Sequence, residues 1–449
     1  MPTKEQFIFS RKFTPWVYLF CVSLFLSLFV VTQNVLCQEQ KNAPLWAKID
    51  QLSLDIEANA IAWRRDIHQH SELGYQEFRT AKLVAEHLKS LGIEVKTGVA
   101  KTGVVGILRG KKDTPVVALR ADMDALPITE AVNVPFASKV KAQIGGKEVG
   151  VMHACGHDVH TAILMGAAEV LSKVRDEIPG TVKFIFQPTE EVLSTGEEGG
   201  AASMIKEGVL ESPKPDSIFG LHVLPFPVKR IRYRAGGIWG SVDKLEITIK
   251  GTQTHAGGPW AGVDPIVVAS QVVLGIQTVI SRQIDLTDSP AVISIASIHG
   301  GDQFGTIPDK VEMIGRIAAL DPKIQKQIHE RIQKTAKFIA ESAGATAEVK
   351  ISKIFPVTFN EPNLTGQMAP TLERVVGKGK LIVAHPSMGG EDFSYYQEKI
   401  PGLFFFLGIA PEGGKFVPSH SPDFYVDENA ILVGIRAMAN LAIDFLGSK

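Results

Sequence analysis

Residues 159–187 read VHTAILMGAAEVLSKVRDEIPGTVKFIFQ. From Val159 to Val174 the apolar residues recur at helical spacing, Pro179-Gly180 stops the helix, and Thr181 to Gln187 is a short apolar run of the kind that forms a buried strand. On the N-terminal side, helical spacing from Leu45 to Leu91 ends at Gly92, and β-type runs follow at Gly103 to Arg109 and Pro115 to Ala121. On the other side Ser217 to Val223 reads as a further strand. Helices alternating with buried strands predict an α/β domain with a mixed, largely parallel sheet flanked by helices. In such sheets sites form at the carboxyl ends of strands, and polar clusters follow the runs Val116–Leu119, Val182–Phe186 and Ile218–Leu221.

Near Ser241 the texture changes. Leu245 to Lys250 alternates like a half-exposed strand and Pro265 to Arg282 reads as a helix. Ala291 to His299 and Lys310 to Ala319 read as strands, Pro322 to Ser342 as a helix and Thr346 to Ile354 as a strand. The order β-α-β-β-α-β predicts a ferredoxin-like α+β module inserted at 241–357. It divides a catalytic domain into 45–240 and 358–449, the second part carrying a helix near Pro370 to Val376, a strand at Leu403 to Leu407 and a final helix near Asn429 to Leu446.

The 449 residues suit more than one domain. With 47 Lys+Arg against 48 Asp+Glu, the balance excludes the basic surface of a nucleic-acid binder. Lys4, Arg11 and Lys12 precede an apolar run from Val17 to Val31, which predicts a signal peptide over 1–37 and export to a periplasmic or secreted location. An uncleaved N-terminal anchor is the other reading, although the run is shorter than a comfortable membrane span. Cleavage after Cys37 leaves Cys155 as the one cysteine of the mature chain, to be a buried spectator, a reactive thiol or a metal ligand.

The chemistry concentrates in Met152-His153-Ala154-Cys155-Gly156-His157-Asp158-Val159-His160. A thiol and an imidazole two residues apart at a glycine turn, running into a helix, form a rigid platform for a metal. Glu190 and Glu191 follow a buried strand, where adjacent side chains splay apart and can divide two jobs, metal ligand and proton shuttle. His222, His420, Asp122 and Asp124 are further candidate donors. Carboxylate, imidazole and one thiolate suit Zn²⁺ or Mn²⁺ better than Ca²⁺. His255, in Thr254-His255-Ala256-Gly257, belongs to the inserted module and would reach the site only across a closing cleft.

Taken together, these motifs with Arg120-Ala121-Asp122-Met123-Asp124-Ala125-Leu126-Pro127 and Gly389-Gly390-Glu391-Asp392-Phe393 resemble those of the aminoacylase and carboxypeptidase family of co-catalytic metallopeptidases. The branch is that of hippurate hydrolase-like and auxin-conjugate hydrolase-like amidohydrolases. The resemblance implies two divalent metal ions, Mn or Zn, held by Cys155, His157, Glu191, His222 and His420, with Glu190 as catalytic base acting on a metal-activated water. It also implies that Asp122 steadies a ligating histidine, that His255 stabilises the oxyanion, and that the inserted lid pairs subunits into a homodimer. The activity implied is hydrolysis of N-acyl amino acids or related small N-acyl amines, with short peptides as the alternative substrate and a non-catalytic binding protein of the same fold as a third reading. The chain departs from the family pattern at Gly305, where Asn is usual, and at Ala318, where Arg is usual. It carries Arg316 instead, whose direction strand alternation leaves open.

Overall fold

The computed structural model describes residues 43–191 and 198–449. The leader-like segment 1–37, with Cys21 and Cys37, lies outside the described residues. The chain divides into two compact units, Met1–Gln51 and Leu52–Lys449; of the first, residues 43–51 are described and are helical.

The periodicity from Leu45 to Leu91 resolves into two helices, α1 (residues 43–69) and α2 (Phe78–Ser90). Between them Gly74 is followed by Tyr75 in the left-handed region (φ 59°), which interrupts the helical hydrogen-bond ladder. Strands β1 (Glu94–Val99), β2 (Gly103–Arg109) and β3 (Val116–Asp122) follow, then α3 (His157–Ser172), β4 (Thr181–Gln187), β5 (Ser217–Pro227) and β6 (Ile231–Tyr233). Their sheet is completed from the C-terminal part of the chain by β11 (Leu381–Val383) and β12 (Gly402–Ala410), in the order β1-β2-β4-β3-β5-β12-β6-β11. The pairs β4/β3, β3/β5 and β5/β12 are parallel, whereas β1/β2 and β2/β4 are antiparallel. Every residue of β3, β4 and β12 is buried, as parallel strands covered on both faces must be. On one face α3 packs against α7 (Asn429–Gly447) so closely that a Cβ at Gly434 would lie 2.3 Å from Ile163 Cδ1, and one at Gly166 2.6 Å from Ile435 Cδ1. The other face carries Ala118, Ile185, Ile218, Phe404 and Phe406 against Met204, Phe393 and Tyr396.

Between β6 and β11 the chain forms a second, wholly antiparallel sheet. Its strands are β7 (Val242–Lys250), β8 (Ala291–His299), β9 (Lys310–Ala319) and β10 (Thr346–Phe355), in the order β8-β9-β7-β10. Helices α4 (Pro265–Thr278) and α5 (Pro322–Ser342) bury Val268, Val272, Ile276, Ile324, Ile328 and Ile332 against Leu245, Ile247, Ile293, Val311 and Met313. Each helix starts on an aspartate that accepts backbone N–H groups, Asp264 from Ile266 and Val267, Asp321 from Lys323 and Ile324, with proline next. The helix expected near Pro370 begins earlier, as α6 (Pro362–Val376). Pro362 occupies the first helical position, Glu361 caps Asn363 and Leu364, and Pro370 sits inside the helix instead of opening it.

Candidate metal centre and catalytic carboxylate

Gly156 makes the turn that opens α3. Its φ of 89° is left-handed, and a Cβ there would lie 2.3 Å from Val223 Cγ2, so glycine is required for Cys155 and His157 to flank the turn. His222 stands on β5, Glu190 and Glu191 beyond the end of β4. His420 comes from the C-terminal part of the chain, held in the left-handed region (φ 64°) with its N–H donating to Ala154 O at 2.8 Å.

These elements bring the expected donors together. Cys155, His157 and His222 present ligand atoms within 4.8 Å of one another, and the same holds for Cys155, Glu191 and His420 and for His157, Glu190 and Glu191. Cys155 Sγ lies 3.3 Å from both His222 Nε2 and His420 Nε2, and His420 Nε2 is 3.1 Å from Glu191 Oε1. His222 Nδ1 meets Val223 O at 2.7 Å, and His157 Nδ1 meets Asp124 Oδ1 at 3.1 Å. Both rings thereby turn Nε2 inward, and among the described residues His157 Nε2 is buried with no hydrogen-bond partner. An orphaned imidazole nitrogen facing a thiol, two further imidazoles and two carboxylates is a donor set that fits divalent cations of borderline softness.

The electrostatics of the site point the same way. Burial, with Glu191 beside it, pushes the Cys155 thiol up, while hydrogen bonds to Cys155 and Glu191 push His420 up to about 10. A cation bound there would favour the thiolate and the neutral imidazole. Burial, reinforced by His160 and His157, holds His222 well below the ordinary imidazole value. His157 goes the other way, because Asp122, Asp124 and Cys155 outweigh its burial.

Asp122, expected to steady a ligating histidine, stands beside two histidines. Its Oδ1 is 2.6 Å from His160 Nδ1 and 3.9 Å from His157 Nδ1, so the nearer carboxylate to His157 is Asp124. His160 in turn accepts the Val223 N–H through Nε2 at 2.9 Å, which fixes the backbone beside His222. Asp124 also accepts the Glu190 and Glu191 N–H groups at 3.1 and 3.0 Å. His255 is exposed; its Nδ1 accepts Gly257 N–H at 3.0 Å, and among the described residues no hydrogen bond or ion pair joins it to the cluster.

Behind Glu190 lies a buried network that the residue types alone did not signal. Arg120 Nη1 donates to Asp122 Oδ2 at 2.6 Å, its Nη2 to Asp392 Oδ1 at 2.7 Å and its Nε to Gln187 Oε1 at 2.9 Å, with Glu391 Oε1 3.1 Å from Nη2. The available clue was Arg120 and Asp122 at alternate positions of one strand, hence on one face. Glu190 Oε1 accepts the Asp392 N–H at 3.5 Å. Burial, then Glu391, Glu191 and Asp392, push the Glu190 carboxyl well above its ordinary range.

Arg316, on β9, donates to Met388 O at 2.6 Å. On that strand Val311, Met313, Gly315 and Ile317 are buried on the helix-covered side while Lys310, Glu312, Ile314 and Arg316 are exposed. Arg316 and Ala318 therefore share the other face.

Comparison with known proteins agrees with this geometry. A thermostable carboxypeptidase 2 of Saccharolobus solfataricus is 42% identical over 395 residues, 87% of this chain and 96% of that protein. An N-acetylcysteine deacetylase of Bacillus subtilis is 40% identical, covering 85% and 96% respectively. Among solved structures, a protein of Bacillus subtilis described as a dinuclear metal binding peptidase superposes with a TM-score of 0.75 at 36% identity, over 88% of this chain and 99% of that one. Residues 118–444 match peptidase family M20/M25/M40, and the chain belongs to that family.

Proposed function

We propose that this protein is an exported, metal-dependent amidohydrolase that removes the acyl group from the amino nitrogen of an amino acid or similar small amine. The observation that carries the reading is the buried Glu190 carboxyl adjoining a cluster of one thiol, three imidazoles and a second carboxylate. Two divalent ions held by Cys155, His157, Glu191, His222 and His420, Mn²⁺ and Zn²⁺ both suiting the donors, would supply an acidified water and a polarised amide carbonyl. Glu190 takes the proton of the attacking water and returns it to the leaving amine, work for which a carboxyl raised above its ordinary range is well matched. Asp124 keeps His157 oriented and fixes the backbone of Glu190 and Glu191.

The likeness to a carboxypeptidase supports a second reading, cleavage of short peptides by the same groups. Substrates separate the two. Gly305 and Ala318 offer no polar side chain, and on that sheet face Lys244 and Lys310 are paired with Glu246 and Glu312, whereas Arg316 donates to a carbonyl, Met388 O, and is the cation we assign to a substrate carboxylate. N-acetyl and N-benzoyl amino acids should therefore be hydrolysed by the Mn²⁺- or Zn²⁺-loaded protein at least about tenfold faster with a free carboxylate than as the carboxamide. Faster cleavage of dipeptides than of any acyl amino acid would favour the peptidase reading.

We read the segment 241–357 as a lid that pairs two subunits and brings His255 to the developing oxyanion. In support, Ile266, Val267 and Leu274 of α4 are exposed, as are Val292 and Ile298 of the edge strand β8. A homodimer covering them is expected by sedimentation equilibrium, and His255→Ala should lower kcat about 10²–10³-fold. A monomer with full activity would refute the arrangement.

A further inference from the structure

We propose that Glu77, outside every motif above, is a positioning residue that holds the turn at Thr189 in the conformation presenting Glu190; the inference rests on Glu190 being the base. Thr189 is β-branched, fully buried and in the left-handed region (φ 51°), a conformation such a residue adopts only when its surroundings impose it. Three successive amides, those of Thr189, Glu190 and Glu191, are captured by two buried carboxylates. Glu77 Oε1 takes the first at 2.9 Å, and Asp124 takes the other two. The run of N–H groups forms a concave anion cradle, filled here by side chains of the protein itself. On the opposite side Thr189 O accepts the Gly200 N–H at 2.8 Å.

Glu77 stands at the start of α2, where an acidic side chain ordinarily caps the helix, yet it makes no capping bond there. Glu72 does that work, accepting the Arg79 and Thr80 N–H groups at 2.9 and 2.8 Å. The Glu77 oxygens go instead to Thr189 and to Thr102 Oγ1, which donates at 2.6 Å from a hairpin whose Ala100 and Lys101 are themselves left-handed. The arrangement is costly: burial, then the Asp124 carboxylate, push Glu77 up to about 7. A carboxylate kept there against that cost, and unused by its own helix, acts on the turn. Without it the Thr189 N–H is orphaned, the Pro188–Thr189 peptide rotates as Thr189 relaxes out of its strained conformation, and the Glu190 side chain swings about the N–H that Asp124 still holds. Asp124 still holds Glu191, so metal binding is spared.

The test compares Glu77→Ala, Glu77→Gln and Thr102→Val with wild type for kcat, KM and bound metal on whichever N-acyl amino acid wild type cleaves. Glu77→Ala should lower kcat about 100-fold, with KM within about threefold and two metals retained, since misplacing a reacting group by about 1 Å costs that much. Glu77→Gln keeps an acceptor for Thr189 and should recover to within about tenfold of wild type; Thr102→Val should fall between. Unchanged kcat per metal-loaded molecule in Glu77→Ala, or a Glu77→Gln as impaired as Glu77→Ala, overturns the inference. If Glu77→Ala does not fold, full kcat in both other variants overturns it. A wild type that cleaves no acyl amino acid or peptide sinks the Glu190 reading and this one together, whereas an active wild type with an indifferent Glu77 sinks this one alone.

Discussion

Replacing Glu190 by Ala should abolish turnover, a loss of at least about 10³-fold in kcat, while metal content and thermal stability stay near wild type. The expected size is that of a general base acting in the rate-limiting proton transfer. Glu190 is not among the five donors assigned to the metals, and among the described residues its side chain makes one long hydrogen bond, to the Asp392 N–H at 3.5 Å. Removing it also relieves its repulsion with Glu391, Glu191 and Asp392, so the scaffold has no cause to weaken. Loss of activity with both metals still bound, measured by elemental analysis beside steady-state kinetics, is the expected pair. Retained turnover in Glu190→Ala would remove it as the base, and loss of metal would recast it as a ligand.

Arg120→Leu is expected to be the most damaging change to stability. The guanidinium is fully buried and is the shared counter-charge of Asp122, Glu391 and Asp392. Breaking a buried pair by deleting one partner costs about 3–5 kcal/mol, a large part of the 5–15 kcal/mol that holds a typical domain together, and here three carboxylates lose their cation at once. Even with Arg120 present, burial raises Glu391 to about 8 and Asp392 to about 6. Without it both rise further. Carboxyls raised in the folded state stabilise it below their unfolded values and lose that contribution as pH climbs through the folded ones. The deficit of Arg120→Leu against wild type, measured by urea unfolding, should therefore widen as pH rises from about 6, where Asp392 ionises in the wild type, through about 8, where Glu391 does. Arg120→Lys, which restores the charge without the fork that reaches Gln187, Asp122 and Asp392 together, should recover part of it. A deficit that narrows with rising pH would mean that charge compensation is not what Arg120 supplies.

The main sheet was legible because its inner strands are buried on both faces and so appear as continuous apolar runs; Val182–Phe186 and Leu403–Leu407 need no partner to be recognised. The metal donors were legible for a similar reason, several uncommon side chains standing close in sequence or directly after a strand. What stayed hidden depends on distant residues meeting. Asp122 and Asp124 are equivalent on paper, and the fold alone decides that the first goes to His160 and the second to His157. Arg120 and Asp392 lie far apart in the chain, and Glu77 has no neighbour in sequence that betrays its contact with Thr189. Pro370 misled because proline is commoner at the start of a helix than within one.

The strand order has a consequence for how the molecule comes into being. The second sheet, β7 to β10, is contiguous in sequence, so it can assemble from local pairings as soon as that segment leaves the ribosome. The main sheet cannot: β12 fills the gap between β5 and β6 but is synthesised after every other strand, and α7, which seals α3, comes later still. Such long-range closure is intrinsically slow. The main sheet is thus the last part to be completed, and a chain shortened by its final helix is expected to own a folded second sheet and an unfinished first one.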